Sequence, residues 1–371
     1  GHDAIHPDLG DQASFARFVA RARELGLEVA MDFALQASPD HPWVREHPQW
    51  FTTRLDGTIA YAENPPKKYQ DIYPINFDLD PAGIYAESLR LLRHWADQGV
   101  TIFRVDNPHT KPLAFWSWIL RQMRESHPDV LFLAEAFTRP EMMQALGKIG
   151  FHQSYTYFTW RNRKDEITDY LTELSTQTDA FYRPNLFVNT PDINPIFLQS
   201  GRPAAFAIRA VLAATLSPSW GVYSGFELCE HEPLRVGGEE YLNSEKYEYR
   251  PRDFDAPGHL NLLLGILNSI RNQHPALKSL RTLRFHPTSH SEIIAYSKQD
   301  RDDVVLVVCS LNPSQAVEGD VYWNLDLIGH GHDPELRVHD HLSGQNWSWG
   351  RATYVRLSPD NPAHVVSVMA G

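Results

Sequence analysis

The sequence predicts an α/β protein of the (β/α) barrel class followed by a separate all-β sandwich. Three observations carry this expectation. Short apolar strands alternate with amphipathic helices through residue 277, the pattern of a parallel sheet with crossover helices. Residues 35–79, rich in proline and aromatics, interrupt that rhythm after the first strand, and insertions of that size are usually functional. From residue 278 the hydrophobic period changes to two, which marks antiparallel strands. The expected division is therefore a barrel over 1–277, with the insertion 35–79, and a β-sandwich over 278–371.

The elements follow in order. Residues 12–26 carry Phe15, Phe18, Val19, Ala22 and Leu25 at helical spacing and close on Gly26. LEVAMDFA (27–34) reads as a buried strand. Asp80 stands where it can cap a helix over 81–98, in which Leu89, Leu91, Leu92 and Trp95 have helical spacing. A strand over 100–106 leads to a helix over 113–126, and a strand over 130–137 to a helix over 141–146. A strand over 154–160 leads to a helix over 165–175, and a strand over 186–190 to a helix over 202–216. The strand 220–226 and the helix 259–274 complete the set. Six strands are visible where a closed barrel has eight. Behind them SEIIAYS, DVVLVVCSL, DVYWNLDL, ELRVHDHLSG, ATYVRLS and AHVVSVMA read as the strands of the sandwich.

Composition excludes several function classes. A net charge of −12 argues against a nucleic-acid partner, because phosphate contacts need clustered Lys and Arg. No apolar run is long enough to span a bilayer, so no membrane role is expected. Cys229 and Cys309 are far apart in apolar surroundings, which suits reduced, buried thiols in a cytoplasmic protein. His41, His47 and His109 have no register that suits a metal, and no metal or cofactor is expected. The chain opens on Gly1 with GHDAIHPDLGDQASF, the loop and helix start of a domain in progress, so further sequence is expected upstream.

Carboxylates collect at the strand ends. Asp32 ends VAMDF, Asp106 ends FRVDN, Glu135 ends FLAEAF, and Asp192 lies just past FVNT. Barrel folds place catalysis at the C-terminal ends of strands, and buried strands rarely carry acids without partners. Arg104 lies two residues before Asp106, on the same side of its strand, where a cation orients the acid and keeps it ionised. Paired acids of this kind suit glycosyl transfer with retention. One carboxylate attacks the anomeric carbon, and a second, roughly 5–5.5 Å away, donates and recovers a proton.

FRVDNPH, FLAEAF and the Asp-ending strands resemble the α-amylase superfamily, with VAMDF as its first conserved region. The resemblance makes the first visible strand the third of the barrel, so strands three to eight of a (β/α)8 TIM barrel are present and the first two are not. The sequence departs from the hydrolases: Gln36 and Ala37 stand where Asn-His usually follows the strand-three Asp, and Pro191 stands where a His precedes the strand-seven Asp. DFALQASPDHPW, AENPPKKYQDIYPINFD, NTPDINP and EKYEYRPRDFD resemble a subfamily instead, the maltosyltransferases that use maltose 1-phosphate to extend α-1,4-glucan.

That resemblance implies Asp106 as nucleophile, Glu135 as general acid/base and Asp192 as the transition-state stabiliser. It implies Asn64, Lys67 and Tyr69 as phosphate contacts, Lys246 and Tyr247 as contacts to the far glucose, and Arg104 and Asn107 as further substrate-side residues. Gln36, Ser38 and His109 are added candidates, His109 on the acceptor side. For Asp32 two roles stay open, holding Arg104 or sugar, and organising the strand ends. Trp43 and Trp50 suit glucan stacking and core packing equally. The implied partners are maltose 1-phosphate and α-1,4-glucan, and the implied assembly is a homodimer. The alternatives are a hydrolase or another transglycosylase of the superfamily, and a non-catalytic glucan binder.

Overall fold

Six short strands alternate with helices, and within each part of the chain they pair in parallel, as the alternating pattern requires. The computed structural model describes residues 1–64, 67–246 and 248–369, and the side chains of Asn64 and Lys67 lie outside the description. The chain divides into two compact units, Gly1–Tyr155 with Phe181–Arg183, and Thr156–Ala180 with Pro184–Gly371.

In the first unit the order is α1 (Gln12–Glu24), β1 (Ala30–Phe33), α2 (Pro81–Asp97), β2 (Ile102–Asp106), α3 (Leu113–Ser126), β3 (Leu131–Glu135), α4 (Pro140–Ile149) and β4 (Gln153–Ser154). The four strands form one parallel sheet in chain order. Strand periodicity sorts the side chains of β2: Phe103 and Val105 are fully buried, while Arg104 and Asp106 take the other face. Phe132 and Ala134 of β3 continue the buried face, with the Phe103 and Phe132 rings stacked at 5.6 Å. Leu92 and Trp95 of α2 and Phe115, Trp116 and Ile119 of α3 close the same core.

The insertion has structure of its own. It holds a short helix (Pro42–Glu46), a two-residue antiparallel pairing of Gln36–Ala37 with Tyr73–Pro74, and a hairpin of Ala62–Asn64 with Lys67–Tyr69. Trp43 and Trp50 are buried and pack edge to face at 5.2 Å, so core packing is the role they take. The expected cap on α2 is present. Asp80 Oδ1 accepts the Gly83 amide at 2.9 Å, and Oδ2 accepts the Trp50 indole N–H at 2.8 Å. One carboxylate therefore fastens the insertion to the start of α2.

In the second unit α5 (Lys164–Thr176), β5 (Asn185–Phe187), α6 (Pro203–Leu216), β6 (Ser219–Gly221) and α7 (Asn261–Gln273) continue the alternation, with β5 and β6 parallel. Eight antiparallel strands follow: β7 (Arg284–His286), β8 (Ile293–Asp300), β9 (Asp303–Ser310), β10 (Val317–Tyr322), β11 (Glu335–Asp340), β12 (Asn346–Gly350), β13 (Ala352–Leu357) and β14 (Ala363–Val368). They form a six-stranded sheet, ordered β7-β8-β9-β14-β11-β12, and a β10-β13 ladder. Leu306, Val308 and Val338 of the large sheet share one core with Val321, Val355 and Leu357 of the ladder, which is a sandwich. α6 is buried on every side, and the Thr215 and Tyr296 hydroxyls meet at 2.6 Å. Packing in this unit therefore continues across residue 277, where the secondary structure changes.

Several expected elements differ. The strand 154–160 stops at Ser154, and Tyr157–Trp160 is a 3-10 turn because the Thr156 hydroxyl accepts the Phe158 amide and caps it. The strand 220–226 ends at Gly221, and DVYWNLDL breaks at Tyr322 into a second turn, Leu325–Ile328. Arg284–His286 and Asn346–Gly350 are strands the pattern did not announce.

The Trp50 indole and the Gly83 amide hold the Asp80 carboxyl below its ordinary range. A depressed carboxylate contributes stability above its unfolded pKa and loses it as pH falls through its folded value. Asp80→Ala should lower the melting temperature at pH 7 and change Trp50 fluorescence, and the gap to wild type should narrow on acidification below pH 4. An unchanged melt at pH 7 would show that Asp80 does not fasten the insertion.

Candidate active site

The register of the parallel sheet assembles the site. Asp32 of β1 lies opposite Arg104 of β2, and Asp106 of β2 lies opposite Glu135 of β3. Asp106 and Glu135 are therefore neighbours across one strand spacing, about 4.8 Å. Arg104 reaches all three acids: 3.5 Å to Asp32, 3.4 Å to Asp106 and 3.7 Å to Glu135. Asp32 is largely exposed, whereas Asp106 and Glu135 are mostly buried, so the deeper two need the cation most. Of the two roles open for Asp32, the contact to Arg104 is present.

Tyr155 completes the setting of Arg104. Its hydroxyl accepts the Nε–H at 3.3 Å, and the guanidinium carbon lies 5.6 Å from the ring centroid. The Tyr182 hydroxyl donates to the Tyr155 carbonyl at 2.8 Å and fixes the ring's backbone. Burial works against the Arg104 charge, but Tyr155, Asp32 and Glu135 outweigh it and raise the Arg104 pKa. Burial raises the Tyr155 phenol above its ordinary value despite Arg104.

Beyond Asp106 the chain turns sharply. Asn107 adopts φ 42° and ψ 54°, a left-handed conformation that asparagine tolerates better than most residues. Its amide donates to Glu135 Oε2 at 3.2 Å, and its side-chain Nδ2 donates to Asp106 Oδ2 at 3.4 Å. The Pro108–Thr110 turn follows, held by the Trp116 indole on the Pro108 carbonyl at 2.9 Å. His109 sits in this turn, and burial lowers its pKa. Lys111 is buried, its Nζ donating to the Asn107 carbonyl at 3.3 Å, and burial pushes it down to about 8 against the pull of Asp106 and Glu135.

The remaining candidates of this unit lie in the insertion. Gln36 is on the short strand with Ala37, and Ser38 donates to Asp40 at 2.5 Å. Asn64 and Lys67 are opposite each other in the hairpin, as are Ala62 and Tyr69, but the Asn64 and Lys67 side chains are outside the description. His47 stacks on Trp50 at 4.0 Å, and His41 bonds His2 at 3.0 Å. Among the described residues no group of three His, Cys, Asp or Glu side chains could hold a metal ion.

In the second unit Asp192 lies at the tip of a tight turn. Thr190 and Ile193 exchange backbone hydrogen bonds at 3.1 Å, and Pro191 takes the corner position it favours. The Lys246 ammonium contacts Asp192 Oδ1 at 2.5 Å. Asn189 anchors the base of this turn, donating to the Tyr241 hydroxyl at 2.9 Å and accepting the Tyr223 amide at 2.8 Å. The loop that carries Lys246 is tied by Arg252, which grips Glu230 at 2.9 and 3.1 Å and Glu245 at 2.6 Å. Tyr247 lies outside the described residues.

Known proteins resemble the chain along its whole length. The family described as GLGE, C-terminal, matches residues 285–368. Over its whole length the chain is 57% identical to α-1,4-glucan:maltose-1-phosphate maltosyltransferase 1 of Streptomyces coelicolor, and 52% identical to the enzyme of that name from Mycobacterium tuberculosis H37Rv. The chain is a homologue of these maltosyltransferases. It spans about half of their length, 55% and 54% respectively. Among solved structures, the Geobacillus thermoleovorans α-amylase in complex with acarbose matches with a TM-score of 0.80 at 15% identity, covering 100% of this chain and 83% of that one. The Bacillus clarkii γ-CGTase matches at 0.75 and 16% identity, covering 100% and 57%. The fold is that of the α-amylases, a (β/α) barrel region with a C-terminal β-sheet domain.

Tyr155 and Lys111 join the acidic cluster without having been singled out from sequence. The register signal could have flagged Tyr155, which follows the strand beside β3. Nothing in TKPLAF marks Lys111 as buried.

Removing Arg104 leaves three neighbouring carboxylates without their shared cation. Arg104→Met should destabilise the protein by about 3 kcal/mol in urea unfolding at pH 7. The Arg104 pKa is raised, so its contribution is complete below its unfolded pKa and disappears only at strongly alkaline pH. The loss should therefore persist from pH 6 to pH 9, and a loss under about 0.5 kcal/mol would contradict the shared-cation role.

Proposed function

We propose that this chain carries the catalytic centre of a retaining maltosyltransferase, which moves a maltosyl unit from α-maltose 1-phosphate to the non-reducing end of an α-1,4-glucan. The observation that carries the reading is the pairing of Asp106 with Glu135 across adjacent strands, both touched by Arg104, in a homologue of named maltosyltransferases.

The steps follow from the residues. The Asp106 carboxylate attacks the anomeric carbon, phosphate leaves with the bonding electrons, and a glycosyl ester forms on Asp106. Phosphate is a good leaving group, so the donor side needs positive charge and N–H donors more than a strong acid. The segment around Lys67, with Asn64 and Tyr69, is the part of the chain suited to that task. In the second step Glu135 takes the proton of the acceptor's 4-hydroxyl as that oxygen displaces Asp106 from the anomeric carbon. Asp192 binds sugar hydroxyls, with Lys246 and Tyr247 at the far glucose. Exclusion of water favours transfer over hydrolysis. No cofactor enters the balance: the donor's C1–O bond and then the Asp106 ester break, the new glycosidic bond forms, and the acceptor's proton passes from Glu135 to phosphate as the enzyme resets. The full-length protein is read as a cytoplasmic homodimer that serves α-glucan synthesis.

The test uses the full-length protein with maltose 1-phosphate and a maltooligosaccharide. Phosphate release should accompany lengthening of the acceptor by two glucose units. Asp106→Asn should abolish both, and Glu135→Gln should slow elongation by about 10²–10⁴-fold. Release of sugar from starch by water, with no phosphate formed from maltose 1-phosphate, would assign the chain to the hydrolases.

A further inference from the structure

A buried lysine near the acidic cluster has no place in the reaction as written. Lys111 is only 8% exposed, yet it bears a cation, which buried positions rarely accept without a partner. Among the described residues its Nζ makes one hydrogen bond, to the Asn107 carbonyl at 3.3 Å. The Thr110 hydroxyl donates to the same oxygen at 2.8 Å. Asn107 is the residue held left-handed, and its amide is the group that donates to Glu135 at 3.2 Å. A relaxed Asn107 would swing its peptide groups and take that N–H away from Glu135. The carbonyl contact and the amide contact are thus two ends of one strained residue.

We propose that Lys111 is a positioning residue for Glu135: its ammonium anchors the Asn107 carbonyl, and the left-handed turn so held keeps the Asn107 amide on the Glu135 carboxylate. This rests on the reading of Glu135 as the base of the second step. The charges that act on Lys111 are those of Asp106 at the end of β2 and Glu135 at the end of β3; His109 in its own turn, lowered chiefly by burial, feels the Lys111 charge as well. A charged donor holds a carbonyl about twice as strongly as a neutral one. Burial brings Lys111 down to about 8, so the anchor weakens as pH rises through that value. Arg104 stays charged over the same range and supplies no such limb.

The division of labour makes the effect specific to one step. Phosphate departure needs little help from Glu135, whereas acceptor attack needs it as base. In the full-length protein, Lys111→Met should keep the first-turnover burst of phosphate from maltose 1-phosphate. Steady elongation of a maltooligosaccharide should fall about 10–100-fold. The wild-type elongation rate should decline above about pH 8, and Lys111→Arg, which stays charged, should keep activity and lose that decline. Elongation by Lys111→Met at the wild-type rate, or equal loss of burst and elongation, would overturn the proposal. Should Lys111→Met fail to fold, the arginine variant decides alone: an unchanged alkaline decline overturns it. If the wild-type protein releases no phosphate, the donor reading fails. The same two variants, with α-maltosyl fluoride as donor, then still test Lys111 through the pH dependence of turnover.

Discussion

The candidate site depends on one guanidinium shared among three carboxylates. Arg104 stands in the row between Asp32 and Leu133, one pleat before the row that pairs Asp106 with Glu135. Two acids placed side by side at strand ends repel each other and resist burial, and neither strand would carry them without a cation at contact distance. Arg104 is that cation, and it does not titrate in the working pH range. Its own position is set by Tyr155, which offers a phenol oxygen to Nε and a ring face to the guanidinium. The rest of the unit serves this arrangement. The buried faces of β2 and β3, packed on α2 and α3, fix the strand register, and the register fixes which acids meet.

The second layer is backbone geometry. A parallel strand that ended in an ordinary loop after Asp106 would point no amide at Glu135. The left-handed Asn107 does so; Thr110 and Lys111 donate to its carbonyl, and Trp116 donates to the carbonyl of Pro108 in the turn that follows. The site is thus built from a rigid register and a strained turn, which together hold two acids in different hydrogen-bonding environments. Asp106 receives a guanidinium and a side-chain amide; Glu135 receives a guanidinium and a backbone amide. Different surroundings for two neighbouring acids are the condition under which one can attack and the other can carry a proton.

Much of this was legible in the sequence because strands have period two. FRVDN places Arg104 and Asp106 on one side whatever the fold, and strand–helix alternation puts FLAEAF beside it. Helices such as α3 were legible from their own period, with apolar residues at helical spacing. What escaped depends on contacts between residues distant in sequence or on burial of a polar residue. Lys111 reads as a surface lysine, yet it is buried with its ammonium on the Asn107 carbonyl. SYTYFTW has the aromatic content of a strand, but a threonine cap turns it after Ser154 and leaves Tyr155 beside Arg104. The pairing of Asp192 with Lys246 joins two loops that no periodicity connects. Trp43 and Trp50 left two roles open, and burial settled them as core.

The most direct test of the account is to catch the sugar on Asp106. Full-length protein carrying Glu135→Gln, incubated with maltose 1-phosphate and no acceptor, then digested, should yield an Asp106 peptide heavier by one maltosyl unit. The adduct should be absent when Asp106→Asn is added. A maltosyl group on any other residue, or phosphate release without any covalent adduct, would contradict the assignment of Asp106 and, with it, the retaining chemistry built on the Arg104 cluster.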